Sequence, residues 1–283
     1  MHYTFPEITD LDAVRAVAEG AEGFAVTLRH GYVVICYVYV SPEVFPAVTD
    51  WATAVRRECR GLVFTPDGRL VSRPLHKFFN VGERPETQPD RIDLTRPHTI
   101  LEKLDGSMIR PIPSGDGYRL GTKLGMTPVS VPPEAFVRAR PHYDAFIRSM
   151  LAAGCTPVFE WCSRQQRIVL DYQQDRLVLL AVRENRSGRY ISMQAIRENI
   201  ASEPRLTGVD VVAELPGTLE GIGHLLADAR RLDGAEGLVI RFDDGHMLKV
   251  KSDWYVTRHK AISRLAQEKD VVALLVAGGA DDV

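Results

Sequence analysis

Four pairs of apolar runs, each joined by a tight-turn signal, limit this chain more than any other feature. "EGFAVTLRHGYVVICYVYV" turns at His30-Gly31, and "RGLVFTPDGRLVSRPL" turns at Pro66-Asp67-Gly68. "SGDG" at 114–117 separates "SMIRPI" from "YRLGTKLG", and "DDG" at 243–245 separates "GLVIRF" from "HMLKV". Glycine, proline and aspartate favour the backbone angles of a reversal, so each pair reads as a hairpin. Tight hairpins join antiparallel strands, which argues against a parallel doubly wound sheet. Helices are expected between them: over 10–19, with Leu11, Val14 and Val17 on one face, and from Pro141 to a stop at Gly154. Others start at Ser192, at Thr218 (ending near Gly234) and at the cap Ser252, the last closing on Gly278-Gly279. The chain is α+β: antiparallel β-sheets flanked by helices, with a short helical C-terminal tail.

The 283 residues suffice for a sizeable core, and 45% apolar with 25% charged residues are ordinary globular values. A net charge of -2 argues against a positive coat that grips nucleic acid non-specifically, and leaves room for a local basic groove. Cys36, Cys59, Cys155 and Cys162 form no C-x-x-C pair, so reduced, buried thiols are expected instead of a zinc site or a disulfide framework. The most apolar run, "GYVVICYVYV" (31–40), is too short to span a bilayer, and "MHYTFPEITD" lacks the pattern of a signal peptide. A soluble cytoplasmic protein is expected.

"LEKLDGSM" (101–108) inserts a lysine, an aspartate, a glycine and a serine into a stretch that otherwise reads as a strand. On an extended chain Lys103, Asp105 and Ser107 share a face. A surface ion pair before a turn is the plain explanation; a lysine nucleophile with its helper is the other. Four further stretches bear on the choice. Glu236 precedes a glycine in "GAEGLVIRF", and Glu160 interrupts the apolar strand "TPVFEWCS". Arg60 stands before the glycine of "ECRGLVF", and Lys77 before two aromatics in "HKFFNVGE". Lys249 and Lys251 in "HMLKVKSDW" point the same way on a strand and repel unless an anion lies between them. Singly, each is an ordinary solvated strand residue, and Phe78 and Phe79 are ordinary core. Their order along the chain carries the weight.

That order resembles the covalent nucleotidyltransferases, the superfamily of polynucleotide ligases and mRNA capping enzymes. Lys103-Leu104-Asp105-Gly106 matches the first motif, K-x-D-G, and Phe159-Glu160 the end of the third. "DRLVLLAVRE" (175–184), Glu236-Gly237-Leu238-Val239 and Lys249-Val250-Lys251 match those that follow. Within the superfamily the chain is most similar to the phage T4 RNA ligase 1-like family, from about residue 55 to 256, through "ECRGLVF", "HKFFNVGE", "KLDGS", "TKLGM" and "LKVKSDWYV". The resemblance implies a nucleotidyltransferase (ligase adenylation) domain over 1–254 and a short helical extension over 255–283. That extension is shorter than the family's C-terminal helical domain, which is linked to tRNA preference, and too short for an OB barrel.

The activity implied is ATP-dependent RNA joining in RNA repair. Lys103 attacks the α-phosphate of ATP, AMP passes to an RNA 5′-phosphate, and a 3′-hydroxyl displaces it. A free lysine, with a pKa of ~10.4, is almost wholly protonated at neutral pH. Crowding by Lys123, Lys249 and Lys251, with partial burial, is expected to favour the neutral amine, and the same cations hold phosphate oxygens. Mg²⁺ (or Mn²⁺) is expected on Glu236, and Glu160 on the ribose hydroxyls or the metal shell. By resemblance Arg60 and Lys77 contact the nucleotide or its phosphates, Asp105 orients Lys103 or the metal's waters, and the main chain beside Glu102 meets the adenine edge. Tyr37 or Tyr39 lines the pocket. The expected partners are RNA ends (single-stranded or in a broken loop, a cleaved tRNA among them), with no membrane and a monomeric protein. Two alternatives stay open: a nucleotidyl transfer to a non-RNA acceptor, and a non-catalytic RNA-end-binding protein.

Overall fold

The turn residues do what their chemistry suggests. A computed structural model describes residues 3–216 and 221–265. Strands β1 (Phe24–Arg29) and β2 (Tyr32–Tyr37) pair antiparallel with Arg29 opposite Tyr32. His30 and Gly31 reverse the chain at φ 49° and 78°, the left-handed pair that a two-residue hairpin turn requires. β3 (Arg60–Phe64) and β4 (Leu70–Ser72) extend this to a four-stranded sheet in the order β1-β2-β3-β4. Two short helices, α1 (Leu11–Ala18) and α2 (Trp51–Glu58), are capped by the carboxylates of Asp10 and Asp50. Leu11 and Val14 of α1 and Val55 of α2 bury against Val33, Ile35, Leu62 and Phe64 of the sheet.

Two more sheets follow. In chain order the remaining strands are β5 (Phe79–Asn80), β6 (His98–Glu102), β7 (Ser107–Ser114), β8 (Gly117–Gly121), β9 (Cys155–Cys162) and β10 (Arg176–Glu184). β11 (Glu214–Leu215), β12 (Gly237–Phe242) and β13 (Met247–Lys251) complete them. The second sheet has the order β10-β9-β7-β8 and the third β11-β6-β12-β13-β5. All described pairings between named strands are antiparallel except that of β5 with β13. Helices α3 (Val131–Arg138), α4 (Pro141–Ala152) and α5 (Met193–Ser202) belong with the second sheet, where Phe146, Ile147, Phe159, Leu177 and Leu179 form the largest core. Helix α6 (Ile222–Arg231) packs Leu225 and Leu226 on the third sheet, and α7 (Asp253–Leu265) follows β13.

The helices expected over 10–19, from Pro141 and from Ser192 are present, while α2 and α3 were not anticipated. The described part of α6 begins at Ile222; the start expected at Thr218 lies outside the described residues, as does the closure on Gly278-Gly279. α7 starts at Asp253, so the expected domain limit at 254 falls inside its first turn. All four cysteines are buried and unbridged. Among the described residues no helix is long and apolar enough to cross a membrane.

Candidate active site

The chain leaves the third sheet at Glu102 and enters the second at Ser107, so residues 103–106 bridge the two. This crossing is close. A Cβ at position 106 would lie 2.3 Å from the Trp161 carbonyl oxygen and 3.0 Å from Glu160 Cγ, so only glycine passes β9 there. Gly237, at φ 143°, is as confined: its Cβ would fall 2.0 Å from the Val250 oxygen. The glycines that follow the aspartate and the glutamate in the motifs thus let backbone lie against backbone.

Their effect is to bring two side chains together from 133 residues apart in sequence (236 − 103). Lys103 Nζ lies 2.6 Å from Glu236 Oε1, and Lys251 Nζ lies 3.2 Å from the same oxygen. Glu236 is therefore an anion for Lys251, while the nucleophile candidate has a carboxylate partner and is not surrounded by cations alone. The Lys103 side chain is 18% exposed, the Glu236 side chain 5%. The amine can be reached from the cleft; the carboxylate is behind it.

A second group of cations gathers at Phe78. The Arg60 guanidinium lies 5.4 Å and the Lys249 amine 5.7 Å from its ring centroid, within cation–π range. Burial pushes the Lys249 amine down to about 7, and the charges of Lys77, Arg60 and Lys103 push the same way. Burial likewise lowers Lys77 to about 8, with Glu83 opposing. Glu160 faces the reverse problem. Burial above all raises its carboxyl to about 7; Lys103 opposes this and Glu236 reinforces it.

Arg60, Phe78 and Glu160 border a cleft of about 660 Å³, a volume suited to a small organic ligand, whereas Lys249 and Lys251 do not line it. Arg60, Glu102, Lys103, Lys123, Glu160 and Glu236 line it. Leu75, Met108, Leu180, Val239 and Met247 supply an apolar portion that can take a flat base. Of the two tyrosines, Tyr37 lines the cleft with the Lys123 amine 4.6 Å from its ring, whereas Tyr39 is exposed and donates its hydroxyl to Glu22. Lys77 does not border the cleft; it faces a smaller cavity across Phe78. The N–H groups of Glu102 and Lys103 donate to the carbonyls of Ala213 and Gly237. The adenine contact expected beside Glu102 therefore cannot use these two donors.

Asp105 departs from the sequence reading. Strand alternation stops at Glu102, so Lys103 and Asp105 do not share a strand face. The Asp105 carboxylate is 3% exposed and accepts from the Val169 and Leu170 N–H groups, both at 2.8 Å, and from the Tyr255 hydroxyl at 2.7 Å. Its own N–H donates to the Tyr172 hydroxyl. Asp105 therefore ties the crossing segment to residues 169–172 and to α7; it does not orient Lys103 by direct contact. Tyr172 and Tyr255 were missed because a tyrosine after an apolar run carries no sequence signal that separates core from clamp.

Glu58 was missed for the same reason. It is fully buried with two guanidiniums: Arg73 Nε at 3.0 Å and Arg183 Nη1 at 2.6 Å. Carbonyls of Pro6, Asn185 and Arg186 satisfy the rest of Arg73, and those of Pro74 and Gly188 the rest of Arg183. This clamp fastens the end of α2 to residues 73–74 and β10, and so holds Arg60 and Lys77 in place.

Among the described residues no three His, Cys, Asp or Glu side chains converge on a metal-sized site. Glu160 and Glu236 nevertheless face one cleft and feel each other's charge. Two carboxylates suit a hard cation such as Mg²⁺, which retains waters and takes its other oxygens from substrate phosphates. An all-protein cage is not required.

A family described as RNA ligase matches residues 58–255. A Thermovibrio ammonificans protein named "Putative RNA ligase" is 32% identical over 98% of this chain, which spans 71% of that protein. RNA ligase 1 of bacteriophage TS2126 is 29% identical over 86% of this chain, which spans 60% of it. An archaeal ATP-dependent RNA ligase of solved structure superimposes with a TM-score of 0.61 at 14% identity, covering 90% of this chain and 67% of its own. The fold is shared with that enzyme.

Proposed function

The chain belongs to the RNA ligase family, and on that premise we propose that it joins an RNA 5′-phosphate to an RNA 3′-hydroxyl through a covalent AMP on Lys103. The observation that supports this most is the Lys103 amine, reachable from the cleft and pinned 2.6 Å from a buried carboxylate. Lys103 attacks the α-phosphorus of ATP as the free amine; the N–P bond forms while the bond to pyrophosphate breaks. Glu236 Oε1 holds the amine in line, and Asp105 with Tyr255 keeps its segment from drifting. Arg60, Lys123 and Lys249 offset the negative charge of the phosphates. Glu160 and Glu236 would hold Mg²⁺, which supplies Lewis-acid neutralisation of phosphate charge. The apolar portion beside Leu180 and Val239 takes the adenine.

In the remaining steps AMP passes to the RNA 5′-phosphate and is displaced by the 3′-hydroxyl. We place residues 1–254 in the catalytic domain and the protein in the cytoplasm as a monomer that repairs broken RNA; buried, unbridged thiols support a reducing compartment. Incubation with α-labelled ATP and Mg²⁺ should leave label on the wild-type protein and none on Lys103→Ala. Unlabelled wild type, or labelled Lys103→Ala, overturns the mechanism. A joining assay on 5′-phosphorylated single-stranded RNA tests the acceptor separately.

A further inference from the structure

Arg73 and Arg183 are buried around the Glu58 carboxylate; Arg110 on β7 is as fully buried and has no ion-pair partner among the described residues. Burial pushes its guanidinium down to about 9, with Cys36 opposing. A buried charge without a counter-charge costs stability, which sets this position apart from ordinary core. Arg110 Nη1 donates to the Ser72 hydroxyl at 3.1 Å and Nη2 to the Gly61 carbonyl. Ser72 Oγ in turn donates to the Pro111 carbonyl at 2.9 Å. One side chain of β7 thus fastens the second sheet to β3 and β4 of the first.

The Gly61 carbonyl is no ordinary ladder group. β2 pairs Ile35 with Leu62 and then Cys36 with Arg60, so Gly61 is the extra residue of a bulge in β3. Its φ of 105° and the Lys123 carbonyl oxygen, 2.4 Å from where a Cβ would stand, confine the position to glycine. The neighbours of this bulge are two of the cations that line the cleft. Arg60 precedes Gly61 in the strand, and Lys123 lays its main chain on it from the turn after β8. Further out, the Arg60 guanidinium donates to the His76 carbonyl at 3.3 Å and the Lys123 amine lies over the ring of Tyr37. Arg110 makes no described hydrogen bond to either side chain; it holds the main chain from which both start.

We propose that Arg110 is a positioning residue: through the bulged Gly61 it fixes the placement of Arg60 and Lys123, and so the cleft's grip on a ligand's phosphates. The proposal deepens the ligase reading and rests on it in taking ATP as the ligand. Without the guanidinium the Gly61 carbonyl is left buried with no donor, and the bulge can relax along with the two cations it aims. The apolar portion of the cleft beside Leu180 and Val239 is built from other strands and keeps its shape.

Calorimetric titration of the full chain with ATP and Mg²⁺, in a Lys103→Ala background that blocks covalent transfer, tests it. Arg110→Met should weaken ATP about tenfold and leave adenosine, which has no phosphate, unchanged. The midpoint of denaturant unfolding should move little, since an uncompensated charge leaves the core with its donor. Arg110→Lys keeps a donor for Gly61 and should recover most of the affinity; if Arg110→Met does not fold, it carries the same comparison with a smaller loss. In a chain that already has Arg60→Ala and Lys123→Ala, adding Arg110→Met should weaken ATP no further, because the groups it positions are gone. Undiminished ATP affinity, equal losses for ATP and adenosine, additive losses in the combined variant, or collapse of the fold in both Arg110 variants overturns the proposal. A protein that behaves as expected here and whose wild type takes no label from ATP overturns the ligase reading alone. Labelled wild type with an indifferent Arg110→Met overturns the positioning role alone.

Discussion

Glu58 and Glu236 solve one problem in two ways: each is a buried carboxylate shared by two cations. Glu58 serves Arg73 and Arg183, all three fully buried, with the remaining donors on backbone carbonyls. Glu236 serves Lys103 and Lys251, whose side chains are 18% and 29% exposed, the first of them opening onto the cleft. A guanidinium stays charged and presents a rigid fork, so the first arrangement is permanent. An ammonium is a single mobile point that can shed its proton and become a nucleophile, so the second can be rearranged by substrate. The choice of cation separates the clamp from the proposed catalyst.

The largest effect should come from erasing that choice. Lys103→Arg preserves charge and much of the ion pair, yet should leave no detectable protein-bound AMP, because a guanidinium is not a usable nucleophile. Labelled protein in that variant would mean that position 103 acts only as a charge.

Next in size is the contrast between the carboxylates. Glu58→Gln leaves two guanidiniums without their counter-charge and should cost about 3–5 kcal/mol in denaturant unfolding. Glu236→Gln leaves two lysines that reach water and should cost less than about 1 kcal/mol while strongly reducing AMP transfer. Equal losses of stability would erase the distinction drawn here.

Tyr255→Phe withdraws one donor from the buried Asp105 carboxylate, at a cost of about 1–2 kcal/mol. If Asp105 and Tyr255 position the nucleophile, kcat for self-adenylylation should fall several-fold while KM for ATP moves little. A change in KM alone would make the contact structural.

The smallest effect is on pH dependence. Glu160, raised to about 7, binds more protons folded than unfolded between its ordinary value and 7, so its contribution to stability is lost as pH rises through that window. Lys249 and Lys77, lowered to about 7 and 8, bind fewer protons folded than unfolded. Their contribution is present above the ordinary lysine range and lost as pH falls toward 7. Together they predict a shallow minimum of thermal stability near neutral pH, made shallower on its alkaline side by Lys249→Met, with Lys77 supplying what remains. The clamp at Glu58 should contribute nothing to it.

Much of the site was legible before any coordinates. Lys103, Glu160, Glu236 and Lys251 were singled out by type and spacing, and they meet in one corner. Tyr172, Tyr255 and Glu58 were not legible, because nothing in their neighbourhoods distinguishes a buried partner from ordinary core. Asp105 was noticed, but its partners Val169, Leu170 and Tyr255 were not, since alternation was carried past the end of β6. Lys77 was placed with the nucleotide; it borders the smaller cavity, with its amine 5.9 Å from the ring of the cleft residue Tyr37.

Sequence alone determined the antiparallel hairpins, the order of the chemical motifs and the family, because turn propensity and motif spacing are properties of adjacent residues. Tertiary structure decided which carboxylate meets which cation. Asp105 finds Tyr255 across 150 positions, and Glu58 finds Arg183 across 125. Pairings at that range depend on how three sheets pack, and burial then determines whether an ion pair is a fixed joint or a reactive one.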